Sequence, residues 1–241
     1  MSGGLAEKGR LSTLEYVETF KTVEKIMLNR RSFVSVVLLA LLTFSLSAAD
    51  KIKVACVGDS ITFGAGVEQR DANCYPVVLG KLLGERFETK NFGNSGSTLL
   101  KNGDKPYWKQ KEFQAATDYA PNIVVIKLGT NDSKPQNWKH KDQFEADLIA
   151  MAAHFASLPS KPKIYLCLPV PVYQDKWGIN EPVVKNEVIP IIQKVAKEKN
   201  LATIDLYTAL SGKPEMFPDK IHPNAAGAKV LAETVAKTLA N

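Results

Sequence analysis

Residues 51–60 read KIKVACVGDS, and residues 123–132 read IVVIKLGTND. Each is a run of β-branched and other apolar residues that stops at glycine and continues into small polar ones. Side chains along an extended chain point alternately to opposite faces. Val54 to Val57 and Ile123 to Ile126 place apolar groups on both faces, so neither run can keep one side wet. A strand covered on both sides belongs in a mostly parallel sheet between helices. Outward from these two runs the pattern repeats. Strands are expected over 87–91, 164–170 (stopped by Pro169 and Pro171) and 202–206. Between them, 75–85 has helical spacing, and 144–158 places Phe144, Leu148, Met151 and Phe155 on one stripe. The helix expected over 181–200 contains Pro190, which implies a kink or break. Residues 224–239 form a closing helix with Asn224 as N-cap. Residues 97–114, rich in Gly, Lys and aromatics, are expected to be the longest irregular stretch. The reading is an α/β fold with the sheet sandwiched between helix layers.

The N-terminus is read as an address. Residues 27–49 read MLNRRSFVSVVLLALLTFSLSAA: a basic pair, an uncharged apolar run, then small residues before Asp50. This is the layout of a secretory signal peptide cut before Asp50, and the run is short for a membrane-spanning helix. Residues 1–26 match no targeting pattern and are expected to be a misassigned or artefactual extension ahead of a true start at Met27. The folded domain is then 50–241, with no stable membrane anchor after cleavage. The whole chain has 241 residues, 31 Lys and Arg, 25 Asp and Glu, and a net charge of +6. The basic residues are scattered and no zinc-finger, basic-zipper or RNA-binding signature is present, so no nucleic-acid partner is expected. Cys56, Cys74 and Cys167 cannot all pair. Cys56 and Cys167 lie in strand-like runs and are expected to be buried. No Cys-x-x-C is present, so a Cys/His metal site has no support, and no cofactor is expected.

In open parallel sheets, ligands bind beyond the carboxyl ends of the strands. Four polar, glycine-bearing or loop segments fall there or just before the last helix: Gly58-Asp59-Ser60-Ile61, Asn91 to Gly96, Gly129-Thr130-Asn131-Asp132, and Asp219 to Asn224. Asp219 and His222 are three residues apart, a spacing that lets the carboxylate meet imidazole Nδ1–H and leaves Nε2 as a base. His140 is expected to be solvated and His154 to sit on a helix face. Ser60 follows the first strand in a Gly-flanked turn, where a His partner would make it a nucleophile for acyl carbon. Ser95 and Ser97 are rivals better suited to turns. The Ser60 and Gly96 N–H groups and the Asn131 side-chain amide are candidate donors to an oxyanion. The G-x-S-x-G pentad is absent.

Ser60, Gly96, Asn131 and His222, in this order and these contexts, resemble the four blocks of the SGNH hydrolases, the GDS(L) esterase/lipase family. The first block is GDSI, the third GTND and the last D-x-x-H-P-N. In the second, NFGNSGST, Ser97 stands where many members have Asp, and the oxyanion glycine is either Gly93 or Gly96. The resemblance covers essentially all of 51–241. It implies a three-layer α/β/α sandwich with a flavodoxin-like sheet. It also implies a Ser60 nucleophile, a His222 base oriented by Asp219, an oxyanion hole from Ser60, Gly96 and Asn131, and no metal requirement. The substrate it implies is a small-molecule or polysaccharide ester. The expected reaction is hydrolysis of short-chain acyl esters, O-acetyl groups on carbohydrates foremost, by an exported enzyme of the periplasm or extracellular space. Substrate contacts are expected from Asp59, Tyr107, Trp108 and Trp177, with Trp138 and Tyr173 as further candidate stacking faces. A lysophospholipase or thioesterase using the same triad, and a non-catalytic envelope- or carbohydrate-binding protein on the same fold, are the competing readings.

Overall fold

Five strands lie side by side, and every neighbouring pair is parallel: β1 (Ile52–Gly58), β2 (Phe87–Gly93), β3 (Ile123–Lys127), β4 (Lys163–Leu168) and β5 (Ala202–Asp205). Their order across the sheet is β2-β1-β3-β4-β5, the flavodoxin-like doubly wound order. The computed structural model describes residues 50–240, together with residues 18, 20–22, 24 and 25, which are helical. Residues 50–241 form one compact unit and residues 1–49 another. The signal peptide expected over 27–49 lies outside the described residues, as does most of the expected extension 1–26. No described helix is long and apolar enough to cross a membrane.

The strands divide their side chains between two cores. Ala55, Val57, Val124, Ile126, Leu166 and Leu168 face one helix layer, formed by α2 (Lys111–Asp118), α3 (Phe144–Ala156) and α4 (Ile189–Glu198). Val54, Cys56, Ile123, Val125, Tyr165, Cys167 and Ile204 face the other, formed by α1 (Tyr75–Leu83) and α5 (Ala225–Leu239). The two-residue period is therefore present, but both of its phases are apolar. Leu79, Phe144, Phe155 and Leu231 are fully buried, each such side chain contributing roughly 1.5–3 kcal/mol. Cys56 and Cys167 are buried as expected, and Cys74 is also buried, at the start of α1.

Two stretches differ from expectation. The segment 97–114 is ordered: Thr98 bridges to Pro106, a 3₁₀ turn spans Tyr107–Lys109, and α2 begins at Lys111. An eight-residue helix with Phe113 and Ala116 as its main inward groups has little periodic signal. The helix expected over 181–200 is α-helical over Glu181–Val183, π-helical over Val184–Val188, and α-helical again through α4. Pro190 has no N–H to give to the turn before it. The π turn lets it enter α4 in the first turn, where that donor is not needed.

Candidate active site

The register sets the site. Gly58 is level with Gly93 on one side and with Lys127 on the other. Strands β2, β1 and β3 therefore end together, and the segments that follow them meet at one rim. A Cβ on Gly58 would lie 2.1 Å from Thr62 Oγ1, and one on Gly93 would lie 2.1 Å from the Phe63 nitrogen. Glycine at both positions lets the turn after β1 pack down on the strand ends.

That turn is a short helix, Ser60–Phe63, capped by Asp59, whose Oδ1 accepts the Ile61 N–H at 3.0 Å. Ser60 is its first residue and 8% exposed. As a first-turn residue it has no intrahelical partner for its N–H. Ser60 Oγ lies 2.8 Å from His222 Nε2, and His222 Nδ1 lies 2.7 Å from Asp219 Oδ2. An ionised carboxylate only accepts, so Nδ1 carries the hydrogen and Nε2 presents its lone pair to the serine hydroxyl. Asp219 Oδ1 also accepts the backbone N–H groups of Ile221 (2.9 Å) and His222 (2.7 Å). Partial burial pushes the Asp219 carboxyl up, but these N–H donors and the imidazole outweigh it and hold it below the usual carboxylate range. The segment is tied down by Asn224, whose N–H reaches the Met216 carbonyl (2.8 Å) and whose Oδ1 caps α5 through the Gly227 N–H (3.0 Å).

The second and third segments adjoin this turn. Asn94 N–H donates to the Gly58 carbonyl at 2.9 Å, and Ser97 N–H and Oγ both return to Asn94. Gly96 sits in this turn at φ +82°, a conformation glycine takes without strain. Asn131 Nδ2 donates to the Ser97 carbonyl at 3.1 Å, which uses one of its two amide hydrogens. The Gly93 N–H is taken by Asn91 Oδ1 at 2.8 Å, whereas the Gly96 N–H has no hydrogen-bond partner among the described residues. Of the two glycines, Gly96 is the one with a donor to offer. Ser97, a rival nucleophile, is fully buried and spent on its turn; Ser95 is exposed, and its carbonyl accepts from Lys105.

Beneath the site lies an arrangement the sequence did not reveal. Lys127, the last residue of β3, is fully buried. Its ammonium donates to Asp59 Oδ1 (3.1 Å), Asp59 Oδ2 (2.9 Å) and Thr130 Oγ1 (2.8 Å), using all three hydrogens. The pair joins the turn bearing Ser60 to the loop bearing Asn131. Asp132 is buried too, and its two oxygens accept the Leu99 and Leu100 N–H groups at 3.0 and 2.8 Å. Burial pushes its carboxyl up to about 7 against the pull of those donors.

Three residues expected to touch substrate spend their polar groups within the protein. Asp59 is fully buried against Lys127. Tyr107 is fully buried, and its hydroxyl donates to the Phe92 carbonyl at 2.6 Å. Trp108 packs on Phe113 and donates Nε1–H to the Leu99 carbonyl at 2.8 Å. Asp59 and Tyr107 are fully buried with their polar groups satisfied and so build the scaffold; Trp108 is half-buried. Trp138 and Tyr173 pack against Phe144 and Phe217. Of these aromatic rings, that of Trp177 pairs with His222, the two centroids 5.7 Å apart. His154 is bonded through Nε2 to Thr117 Oγ1 at 2.8 Å on a helix face. Among the described residues, no group of three or more His, Cys, Asp or Glu side chains is placed to hold a metal ion.

Comparison with known proteins gives the arrangement a context. The model of the GDSL-like Lipase/Acylhydrolase family matches residues 56–230. The chain is 41% identical over 208 residues to an acetylxylan esterase of Xylanibacter ruminicola, a match that covers 79% of this chain and 43% of that protein. It is 24% identical over 220 residues to a multidomain esterase of Ruminococcus flavefaciens, covering 75% of this chain and 27% of the other. The chain thus spans less than half the length of either curated relative. Among solved structures, a carbohydrate acetylesterase from Sinorhizobium meliloti superposes with a TM-score of 0.65 at 18% identity, over 79% of this chain and 99% of that one.

Proposed function

The chain belongs to the GDSL-like lipase/acylhydrolase family, and from that premise we propose that it is a serine esterase that removes short acyl groups, acetyl above all, from carbohydrates. The observation that carries the proposal is the unbroken hydrogen-bond chain from Ser60 Oγ through His222 to Asp219, at 2.8 and 2.7 Å. The carbohydrate and acetyl parts rest on the relative described as an acetylxylan esterase. The reading of residues 27–49 as a signal peptide supports export to the periplasm or beyond.

The proposed reaction has two halves. Ser60 Oγ attacks the ester carbonyl carbon while its proton passes to His222 Nε2. The negative charge that develops on the carbonyl oxygen is met by the Ser60 and Gly96 N–H groups and by the second amide hydrogen of Asn131. The bond from carbon to the alcohol oxygen then breaks, and that oxygen takes the proton from Nε2, leaving acyl-Ser60. Water attacks the acyl carbon and gives its proton to Nε2. The carbon–Oγ bond breaks, Oγ recovers the proton, and the carboxylic acid leaves. Asp219 holds the ring in the required tautomer and balances the imidazolium charge throughout.

Acetate release from acetylated xylan tests the proposal. Wild-type protein is expected to liberate acetate. Ser60→Ala and His222→Ala are each expected to lose at least roughly a thousandfold in kcat with unchanged thermal unfolding. Near-normal turnover in either variant contradicts the assignment. An acyl-chain profile peaking at eight carbons or longer contradicts the short-chain part.

A further inference from the structure

Trp177 stands in an unusual place for a large aromatic. The residue is 57% exposed, and its backbone lies in the left-handed region at φ +54°, followed by Gly178 at φ +80°. The Ile179 N–H closes on the Lys176 carbonyl at 2.9 Å. Two consecutive positive φ values under such a bond make a type I′ turn, whose first central position favours Asn, Asp or Gly. A bulky residue there is a backbone outlier, and outliers of this kind cluster at working sites. Core packing does not offset the strain, because the residue is largely exposed.

What the position gives the ring is proximity to His222, 5.7 Å between centroids with the planes inclined at 43°. The segment carrying it is anchored on both sides of the site. Toward the histidine, Tyr173 N–H donates to the Lys220 carbonyl at 2.9 Å, two residues before His222. Toward the candidate oxyanion loop, Asn180 N–H donates to Ser133 Oγ at 3.0 Å, two residues after Asn131. Within the segment, Val172 N–H donates to Glu181 Oε2 (2.6 Å), and the Asp175 carboxylate accepts from Asn180 Nδ2 (3.1 Å) and Glu181 N–H (3.0 Å). Lys176 Nζ lies 4.6 Å from the Trp177 ring centroid, an additional attraction between cation and ring.

Resting on the reaction proposed above, the side of the ester that meets Trp177 follows from proton traffic. The alcohol oxygen takes its proton from Nε2, so the leaving alcohol must lie against His222, while the carbonyl oxygen points to Asn131 and Gly96. We infer that Trp177 is a stacking platform for the leaving alcohol and that the alcohol it fits is a pyranose. The C–H-lined face of a sugar ring lies on the electron-rich face of an indole, and its hydroxyls stay in solvent on the exposed side. Trp177 is thus a specificity-determining residue that favours esters of ring sugars over esters of small acyclic alcohols.

Steady-state kinetics with ethyl acetate, phenyl acetate and a mono-acetylated methyl xylopyranoside test this. The proteins are the wild type, Trp177→Gly, which removes the ring and relieves the turn, and Trp177→Tyr, which keeps an aromatic face. For Trp177→Gly the KM for the xyloside ester is expected to rise roughly three- to tenfold. Its kcat, and all constants for ethyl acetate, should stay within about twofold, and Trp177→Tyr should recover most of the loss. An unchanged xyloside KM overturns the inference. An equal loss on ethyl acetate also overturns it, reducing Trp177 to a support for His222, and so does a larger loss on phenyl acetate than on the xyloside. Failure of the wild type to release acetate from any of the three overturns the proposed function together with the platform.

Discussion

At the level of single residues, the contact between Asp219 and His222 was legible because its spacing is chemical. Asp219 and His222 sit three apart at the entry to a helix, and that spacing delivers both a side-chain contact to Nδ1 and two backbone N–H groups to the same carboxylate. A prediction follows for pH. The folded-state carboxyl of Asp219 lies below its ordinary value of 3.8, so it binds protons less readily folded than unfolded. Its stabilising contribution is complete above the unfolded value and disappears as pH falls through the lower folded one. The gap in thermal midpoint between wild type and Asp219→Asn should therefore close as pH falls below about 4. A gap that persists unchanged through that acid range contradicts the geometry. Asn131 offers a second test. With one amide hydrogen on Ser97, its remaining donor is the proposed oxyanion contact, and Asn131→Ala should cost roughly 100- to 1000-fold in kcat with a small change in KM. Which aromatics would keep a face in solvent was not legible. Nothing local distinguishes Tyr107, whose hydroxyl is consumed by the Phe92 carbonyl, from Trp177, whose ring is left in solvent.

At the level of elements, strands read clearly and what joins them did not. The apolar runs of β1, β3 and β4 declare themselves because both faces are covered, while the end of β3 conceals a buried charge. In IVVIKL the lysine looks like a residue turning to water at the close of a strand. Its partner Asp59 is 68 positions away in sequence, and only the register that sets Gly58 level with Lys127 brings the two together. Removing one member of such a pair strands a buried charge, so Lys127→Met should destabilise the fold by about 3–5 kcal/mol, measurable by denaturant unfolding. Replacing Lys127 and Asp59 together with apolar residues should cost less than Lys127→Met alone, though the Ile61 cap is lost in the process. Gly96→Ala is expected to lower activity and stability together. Its φ of +82° is unfavourable for alanine, while its Cβ would find ordinary space, 3.6 Å from Lys105 Cδ.

At the level of the whole molecule, the sheet order β2-β1-β3 brings three segments distant in sequence to one rim, and the loop before α5 brings His222 across to them. Alternating strands and helices announced the layered architecture. They could not announce the π turn before Pro190 or the short α2, which depend on packing rather than period. Residues 50–241 hold all the groups of the proposed chemistry and form a compact unit of their own. A chain beginning at Asp50 is therefore expected to unfold in one cooperative transition and to retain the kcat of the longer chain; a molten or inactive product contradicts that assignment. The most direct test of the central claim, that His222 turns Ser60 into a nucleophile, is peptide mass mapping after treatment with a fluorophosphonate. The Oγ–phosphorus bond that forms as fluoride leaves should appear on Ser60 alone in the wild type and be lost or greatly slowed in His222→Ala. Modification of another residue, or equal labelling of Ser60 without His222, would contradict it.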